Sequence, residues 1–437
     1  MLPIYPVTPE NTQEKLSTET IQIRGINSAG HGVGTLKDGR VVFIPRTVPG
    51  DTVEVTVTES RPRWCKGKLI EIVESSSDRV EPVCPHYGSC NGCALQHMAY
   101  ESQLKWKINT VEESLKRIAR IDISVSGIQA SPEQYGYRSR LSFSLLRLRN
   151  SRVIAGFHSL GAPQRIENID ETCALGEEPL IDAWKSLRKN WGDGARLLPS
   201  GRKLKLTLRN VSQGVALVIH GGKKNGDPEE LIRKVPEIIS VWNVDDSGNE
   251  RLLGGEQVLY EQRLGEQVEV GPTSFLQANR SCEAHLNDWI VEQVNPWEGM
   301  RVIDAYCGLG FYGRRIAKHG ANVMGIERNL ASNVHESSGE SGSLECLAGT
   351  VEELLPKVMP SDALILNPPR IGLSRSVVSM VNEGGPCLVL YVSCDPATLA
   401  RDIKRMKESY SVGKIRLFDL FPQTSHTETV AVMHRKA

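Results

Sequence analysis

After about residue 300 the chain repeats one pattern: a short apolar run, a loop, then a helical segment. Arg301-Val302-Ile303-Asp304 and residues 322–327, 362–367 and 388–393 read as strands. Apolar runs without alternation suit strands covered on both faces. Strands alternating with helices point to an α/β, doubly wound sheet, in which ligands bind beyond the carboxyl ends of the strands. The fourth run delivers Cys394 to that edge, and Pro396 opens the next helix, where a first-turn proline costs no hydrogen bond. A thiol there lies near a helix N-terminus, which favours the thiolate. The alternative is a small buried core cysteine.

The first strand is followed by Gly308, Gly310 and Gly313, a G-x-G-x-x-G turn leading into a helix that Gly320 ends. Glu327 closes the second strand, where an acid can bind ribose hydroxyls. These residues suit a dinucleotide and S-adenosylmethionine equally. Asn367-Pro368-Pro369-Arg370 is similar to the Asn-Pro-Pro-aromatic motif of exocyclic-amine methyltransferases, but Arg370 offers no aromatic face for a target base. A plain turn after the third strand is the alternative.

Residues 20–73 read as short strands (20–23, 41–44, 52–57 and 68–73) punctuated by Gly, Pro and Asp, the pattern of a small barrel. Gly25, Gly30, Gly32 and Gly34 fit bends and close backbone approach. The basic, aromatic stretch 61–68 offers charge and stacking to single-stranded nucleic acid, or is a solvated hairpin tip. Cys84, Cys90 and Cys93 follow within ten residues, ending in a Cys-x-x-Cys. That spacing signals soft-ligand metal binding, as zinc or an iron–sulfur cluster, or an exposed redox pair. Spacing leaves Cys65, Cys173 and Cys282 all eligible as a fourth ligand, with His86 and His97 as possible but less expected ligands.

A helical stripe (Leu104, Ile108, Val111, Leu115, Ile118) covers residues 102–121. Strands at 140–146, 153–158, 203–209 and 214–220 alternate in polarity and suit an antiparallel sheet with one wet face. Trp184 and Trp191 read as packing residues. Lys+Arg and Asp+Glu both number 52, so overall charge favours no partner, but residues 98–160 carry ten Lys/Arg against five Asp/Glu. That block can neutralise phosphates or form a solvated face. The polar start of the chain lacks an apolar signal core, and no run reaches the ~20 residues of a membrane helix. A soluble, cytoplasmic protein is expected, its ten cysteines thiols or ligands rather than disulfides.

Six ordered motifs together resemble the RNA uracil-C5 methyltransferase family, in the branch with a TRAM domain and an iron–sulfur cluster. They are the cysteine trio, Pro272-Thr273-Ser274-Phe275-Leu276-Gln277-Ala278-Asn279, Asp304-Ala305-Tyr306-Cys307-Gly308-Leu309-Gly310, Asn367-Pro368-Pro369-Arg370-Ile371-Gly372, residues 393–402, and Phe421-Pro422-Gln423-Thr424-Ser425-His426-Thr427-Glu428. The resemblance implies a multi-domain chain. A flexible tail (1–17) precedes an OB-like TRAM barrel (18–76). An α+β central domain with a [4Fe-4S] cluster (77–270) then leads to a Rossmann-like methyltransferase domain (271–437), on which the helix at 102–121 packs. It implies Cys394 as nucleophile and Glu428 as base. Gln277, Tyr306, Glu327 and Asn367 would hold S-adenosylmethionine, and Cys84, Cys90, Cys93 and Cys173 the cluster. The implied partner is RNA, ribosomal before transfer RNA, with no membrane and no obligate protein partner. Two residues depart from the family: Asn367 stands where Asp is common, and Asp395 where Asn is frequent, setting a negative charge beside the thiol.

Overall fold

The computed structural model describes residues 18–329, 337–338 and 342–437. It divides into two compact units: residues up to Glu81 with His97–Ala99, and Pro82–Gln96 with Tyr100–Ala437. Among the described residues no helix is long and apolar enough to cross a membrane.

The first unit is a six-stranded sheet in the spatial order Thr18–Gln22, Thr52–Ser60, Trp64–Glu74, Val41–Ile44, Gly32–Thr35, Gly25–Ile26. Val41–Ile44 lies where expected, Thr18–Gln22 starts and ends earlier, and Thr52–Ser60 and Trp64–Glu74 run longer than expected, so that the basic stretch at 61–68 is largely strand, with Trp64 opening it. The core is Ile21, Ile23, Leu36, Val42, Ile44, Val53, Val55 and Cys65. Gly32 and Gly34 serve close approach, since an added Cβ would lie 1.9 Å from Thr47 Oγ1 and 2.3 Å from Ile21 Cγ2 respectively. Gly25 has open space around it instead.

In the second unit a seven-stranded sheet runs Ala162–Asn168, Val153–Ser159, Arg140–Arg147, Lys203–Val211, Gly214–His220, Ile238–Val244, Glu250–Gly255. All pairs are antiparallel except Gly214–His220 with Ile238–Val244, which the helix Pro228–Lys234 connects. The expected wet face is absent from its centre, because Gly214–His220 is buried at every interior position. One side packs on the helix Glu178–Asn190, with Trp184 stacked on Phe143 at 3.8 Å and Trp191 edge-on to Trp184. The other packs on the hairpin Leu259–Arg263 and Glu266–Val270.

The nine-stranded sheet carries the α/β repeat. Its order is Ser337–Ser338, Ser343–Ala348, Asn322–Glu327, Arg301–Ala305, Ala363–Leu366, Leu388–Ser393, Glu428–Arg435, Tyr410–Phe418, Ile128–Gln129. The five strands from Ser343–Ala348 to Leu388–Ser393 are mutually parallel, and Glu428–Arg435 inserts antiparallel beside Leu388–Ser393. Helices cover both faces. Arg280–Val294 and Phe311–Ala317 pack on one. On the other lie Val351–Val358, Arg375–Gly384 and Pro396–Met406, joined by the helix Tyr100–Ser114 and its wider last turn Leu115–Ala119. That helix and the edge strand Ile128–Gln129 bring residues before 130 into a sheet otherwise built after residue 300.

The basic block at 98–160 is only partly a surface. Lys107 is fully buried against Asp419, at 2.6 Å. Arg147 donates to five backbone carbonyls between Gly194 and Gly201. Arg138 lines the cysteine pocket.

Candidate active site and cysteine pocket

The switch of strand order in the nine-stranded sheet falls at Arg301–Ala305, and the residues just beyond the carboxyl ends of its strands converge there. Tyr306 has a left-handed backbone (φ 64°), as do Gly308 and Gly310, which forms the tight turn into Phe311–Ala317. Glu327 braces this turn, accepting from Gly308 N at 3.1 Å and Asn329 N at 3.0 Å. Asn367 N donates to Ala305 O, setting the third strand's end against the glycine turn. Asp304 is buried, with a pKa pushed up to about 7 by desolvation. One of its oxygens accepts from Gly313 N and the other has no partner among the described residues.

Gln277 lies on the irregular segment before the helix Arg280–Val294. Buried arginines hold that segment: Arg263 Nη1 donates to Gln277 O, and Arg209 Nη1 to Gly271 O and Ser274 O. Both pair with Glu261, and Arg263 also with Glu283.

Cys394 ends Leu388–Ser393, and Glu428 begins Glu428–Arg435. The register that pairs Ser393 with Thr429 brings the two together. Glu428 is 3% exposed, and burial, opposed by Arg370, pushes its pKa up to about 8. Burial and then the Glu428 carboxylate raise the Cys394 thiol, while the charge and hydrogen bond of Arg370 lower it. The thiol is thus raised overall, against the expectation from the helix N-terminus. The opposing charge is Glu428, and Asp395 is engaged elsewhere. It caps Pro396–Met406, its Oδ1 accepting from Thr398 N at 2.7 Å, a role Asn and Asp fill equally.

Sequence reasoning weighed Arg370 only as a missing aromatic and not for its charge. Its guanidinium reaches both Cys394 and His426, the latter at 3.5 Å. Its turn is rigid: Gly372 N donates to Pro369 O, and Arg370 O accepts from Thr398 Oγ1. Gly372 is left-handed (φ 78°), and a Cβ there would lie 2.3 Å from Thr398 Cγ2. Buried Asp402 fixes the next residue through Leu373 N. The available signal was a cation directly after Pro-Pro, at the end of the strand that pairs with Leu388–Ser393, the strand before Cys394. His426 is held neutral, its pKa lowered to about 4 by burial and Arg370.

Cys84, Cys90, Cys93 and Cys173 line one pocket, together with His86 and Arg138. Burial pushes the thiols of Cys93 and Cys173 up to about 11. Gly92 N donates to Cys90 Sγ at 3.3 Å. Among the described residues no three His, Cys, Asp or Glu side chains are grouped to hold a single metal ion, so an ion-sized centre is not preformed. The other eligible cysteines lie elsewhere: Cys65 in the core of the first unit and Cys282 in the core beneath Arg280–Val294. His97 belongs to the first unit, where its carbonyl accepts from Val80 N.

A family described as tRNA (Uracil-5-)-methyltransferase matches residues 350–436, and the TRAM domain family matches residues 13–70. An RNA methyltransferase of Thermosynechococcus vestitus is 31% identical, over 95% of this chain and 98% of its own. The 23S rRNA (uracil(1939)-C(5))-methyltransferase RlmD of Shewanella amazonensis is 30% identical, over 97% of each. The chain belongs to the RNA uracil-C5 methyltransferase family. Among solved structures, the tRNA (uracil-54, C5)-methyltransferase of Pyrococcus abyssi, in complex with S-adenosyl-L-homocysteine, superposes with a TM-score of 0.73 at 26% identity. That match covers 95% of this chain and all of that one. As an RNA uracil-C5 methyltransferase, the enzyme has its TRAM domain at the N-terminus and its methyltransferase domain at the C-terminus.

Proposed function

We propose that this enzyme methylates C5 of one uridine in ribosomal RNA, with Cys394 as nucleophile and Glu428 as general base. The adjacency of these two side chains on neighbouring strands carries the reading. Uracil C5 is a weak nucleophile. Addition of the Cys394 thiolate to C6 places electron density on C5, which then attacks an electrophilic methyl group. Glu428 removes the C5 proton, and elimination of the thiolate restores the ring and the free cysteine. Arg370 stabilises the thiolate before addition and after release. The target must be unpaired or flipped out of its stack, since C6 is otherwise covered.

Bound S-adenosylmethionine supplies the electrophilic methyl. Gln277, Tyr306, Glu327 and Asn367 hold it in this reading, with Glu327 facing the ribose and the glycine turn allowing close backbone approach. Asn367 contributes a hydrogen bond without the charge an Asp would bring. The four cysteines that line the pocket are the soft ligands a [4Fe-4S] cluster takes, and in this reading they hold one. The functional division runs at 18–76 for RNA binding by an OB-like barrel, 77–270 for the cluster-bearing part and 271–437 for methyl transfer.

Ribosomal RNA ranks first because the relatives named for 23S rRNA share 30% and 29% of residues over nearly the whole chain. Transfer RNA ranks second, because the Pyrococcus abyssi neighbour is named for a tRNA uracil. Transfer of labelled methyl to total RNA, followed by mapping of the product nucleoside, tests the reading. 5-Methyluridine in 23S rRNA supports it, whereas methyl on an exocyclic nitrogen or no transfer rejects it.

A further inference from the structure

The loop that leads into Glu428 is tied to the cysteine segment through one residue. Gln423 has a left-handed backbone (φ 67°), a conformation that persists in a non-glycine residue only where its surroundings impose it. Its carbonyl accepts from two successive amides, Ala94 N and Leu95 N, each at 3.0 Å. Gln103 clamps it from the side: Gln103 Nε2 donates to Gln423 Oε1 at 2.9 Å and to Leu95 O at 3.1 Å. In return Gln423 N donates to Gln103 Oε1 at 3.1 Å. Both glutamines are buried. The preceding carbonyl, Pro422 O, accepts from Tyr137 OH at 3.0 Å.

The ties through Ala94 and Tyr137 start one residue from the cysteine pocket. Ala94 follows Cys93 and Tyr137 precedes Arg138, and Cys93 and Arg138 both line that pocket. A shift of Cys93 would reach the Gln423 carbonyl through the Ala94 and Leu95 amides that bond it. Five residues later the chain reaches Glu428, where small displacements of a proton acceptor lower the rate steeply.

We propose that Gln423 is a positioning residue for Glu428, coupling the catalytic carboxylate to the conformation of the cysteine-bearing segment 84–96. This rests on Glu428 acting as the base. The cysteine pocket then sets the reaction rate through the loop, without touching substrate.

The test uses the full-length protein. Gln103→Met removes the amide clamp while keeping its volume. Expected are hydrogen exchange of amides 421–430 faster by about tenfold, kcat lower by about tenfold, and KM for the methylated RNA within about twofold of wild type. Cys93→Ser accelerates exchange in the same segment, and the double variant shows less than the product of the two effects, the signature of coupled sites. Unchanged exchange and kcat in Gln103→Met, or multiplicative effects in the double variant, overturn the proposal. If Gln103→Met does not fold, the exchange rate of 421–430 in Cys93→Ser decides alone: acceleration supports the coupling, and a wild-type rate overturns it. Normal turnover by Glu428→Gln would instead reject the base assignment, a failure separate from that of the coupling.

Discussion

Ser393 pairs with Thr429 across two strands that bring a cysteine and a carboxylate to one end of the same ladder. One step on, Cys394 and Glu428 meet because Glu428–Arg435 runs antiparallel to Leu388–Ser393, so the end of one strand is the beginning of the other. A parallel neighbour would have put residue 428 at the opposite edge. Cys394→Ala is therefore expected to abolish methyl transfer to RNA, measured with labelled cofactor, while thermal unfolding stays close to wild type. Retained activity would indicate amine chemistry through Asn367-Pro368-Pro369.

The raised pKa of Glu428 sets a pH dependence. A base must be deprotonated, so kcat/KM is expected to climb with pH through about 8, the pKa that burial imposes on Glu428, and to go on rising as the raised Cys394 thiol ionises. Stability runs the other way. The folded state holds the proton more tightly than the unfolded one, so stability is full below about pH 4.5 and falls until pH passes about 8. Glu428→Gln carries no such penalty. Its melting temperature should exceed that of wild type at pH 9, by the equivalent of a few kcal/mol in order of magnitude, with the difference vanishing near pH 4.

Arg370 opposes the burial that raises the Cys394 thiol. A hydrogen bond from a charged donor contributes roughly 1.5–3 kcal/mol. Arg370→Leu should therefore shift the pH midpoint for alkylation of Cys394 by iodoacetamide upward and lower kcat about ten- to a hundredfold. An unmoved midpoint would show that the guanidinium does not act on the thiol.

Lys107 and Asp419 form a fully buried ion pair, and Asp419 also accepts from Tyr100 OH at 2.8 Å. Removing one partner leaves a buried charge uncompensated, which costs about 3–5 kcal/mol. Asp419→Ala should lower the unfolding free energy, read from denaturant titration, by that amount, and Lys107→Met by a similar one, since it leaves the buried Asp419 without its cation.

For the cysteine pocket, anaerobically purified protein should show a broad absorbance near ~400 nm and stoichiometric iron, both lost in Cys173→Ser. A colourless protein with stoichiometric zinc would contradict the cluster and leave the methyl-transfer chemistry standing.

The α/β repeat was legible because its strands are buried on both faces and so read as unbroken apolar runs, as at Leu388–Ser393. The place of Cys394 between a strand end and a helix start was legible because the apolar run and Pro396 bracket it. The edge strand Ile128–Gln129 was not, since two residues pairing with Leu417 and Phe418 leave no periodic signal. Lys107 read as part of a basic surface, because nothing local to a helix reveals a partner 312 residues away. The contacts of Arg370 and Gln423 were hidden for the same reason: each meets atoms that only the tertiary fold brings near. The wet face expected of the central sheet was lost to a hairpin, Leu259–Arg263 with Glu266–Val270, whose packing partner the alternating pattern does not name.

The proposed chemistry turns on a sulfur–carbon bond formed between this chain and its RNA during turnover. Incubating Glu428→Gln with cofactor and the RNA that wild type methylates, then separating under denaturing conditions, reads that bond directly. The expected result is a protein–RNA species that persists in Glu428→Gln, where the C5 proton cannot leave, and is absent from Cys394→Ala. No such species in Glu428→Gln, with wild type still methylating the RNA, would contradict the covalent mechanism.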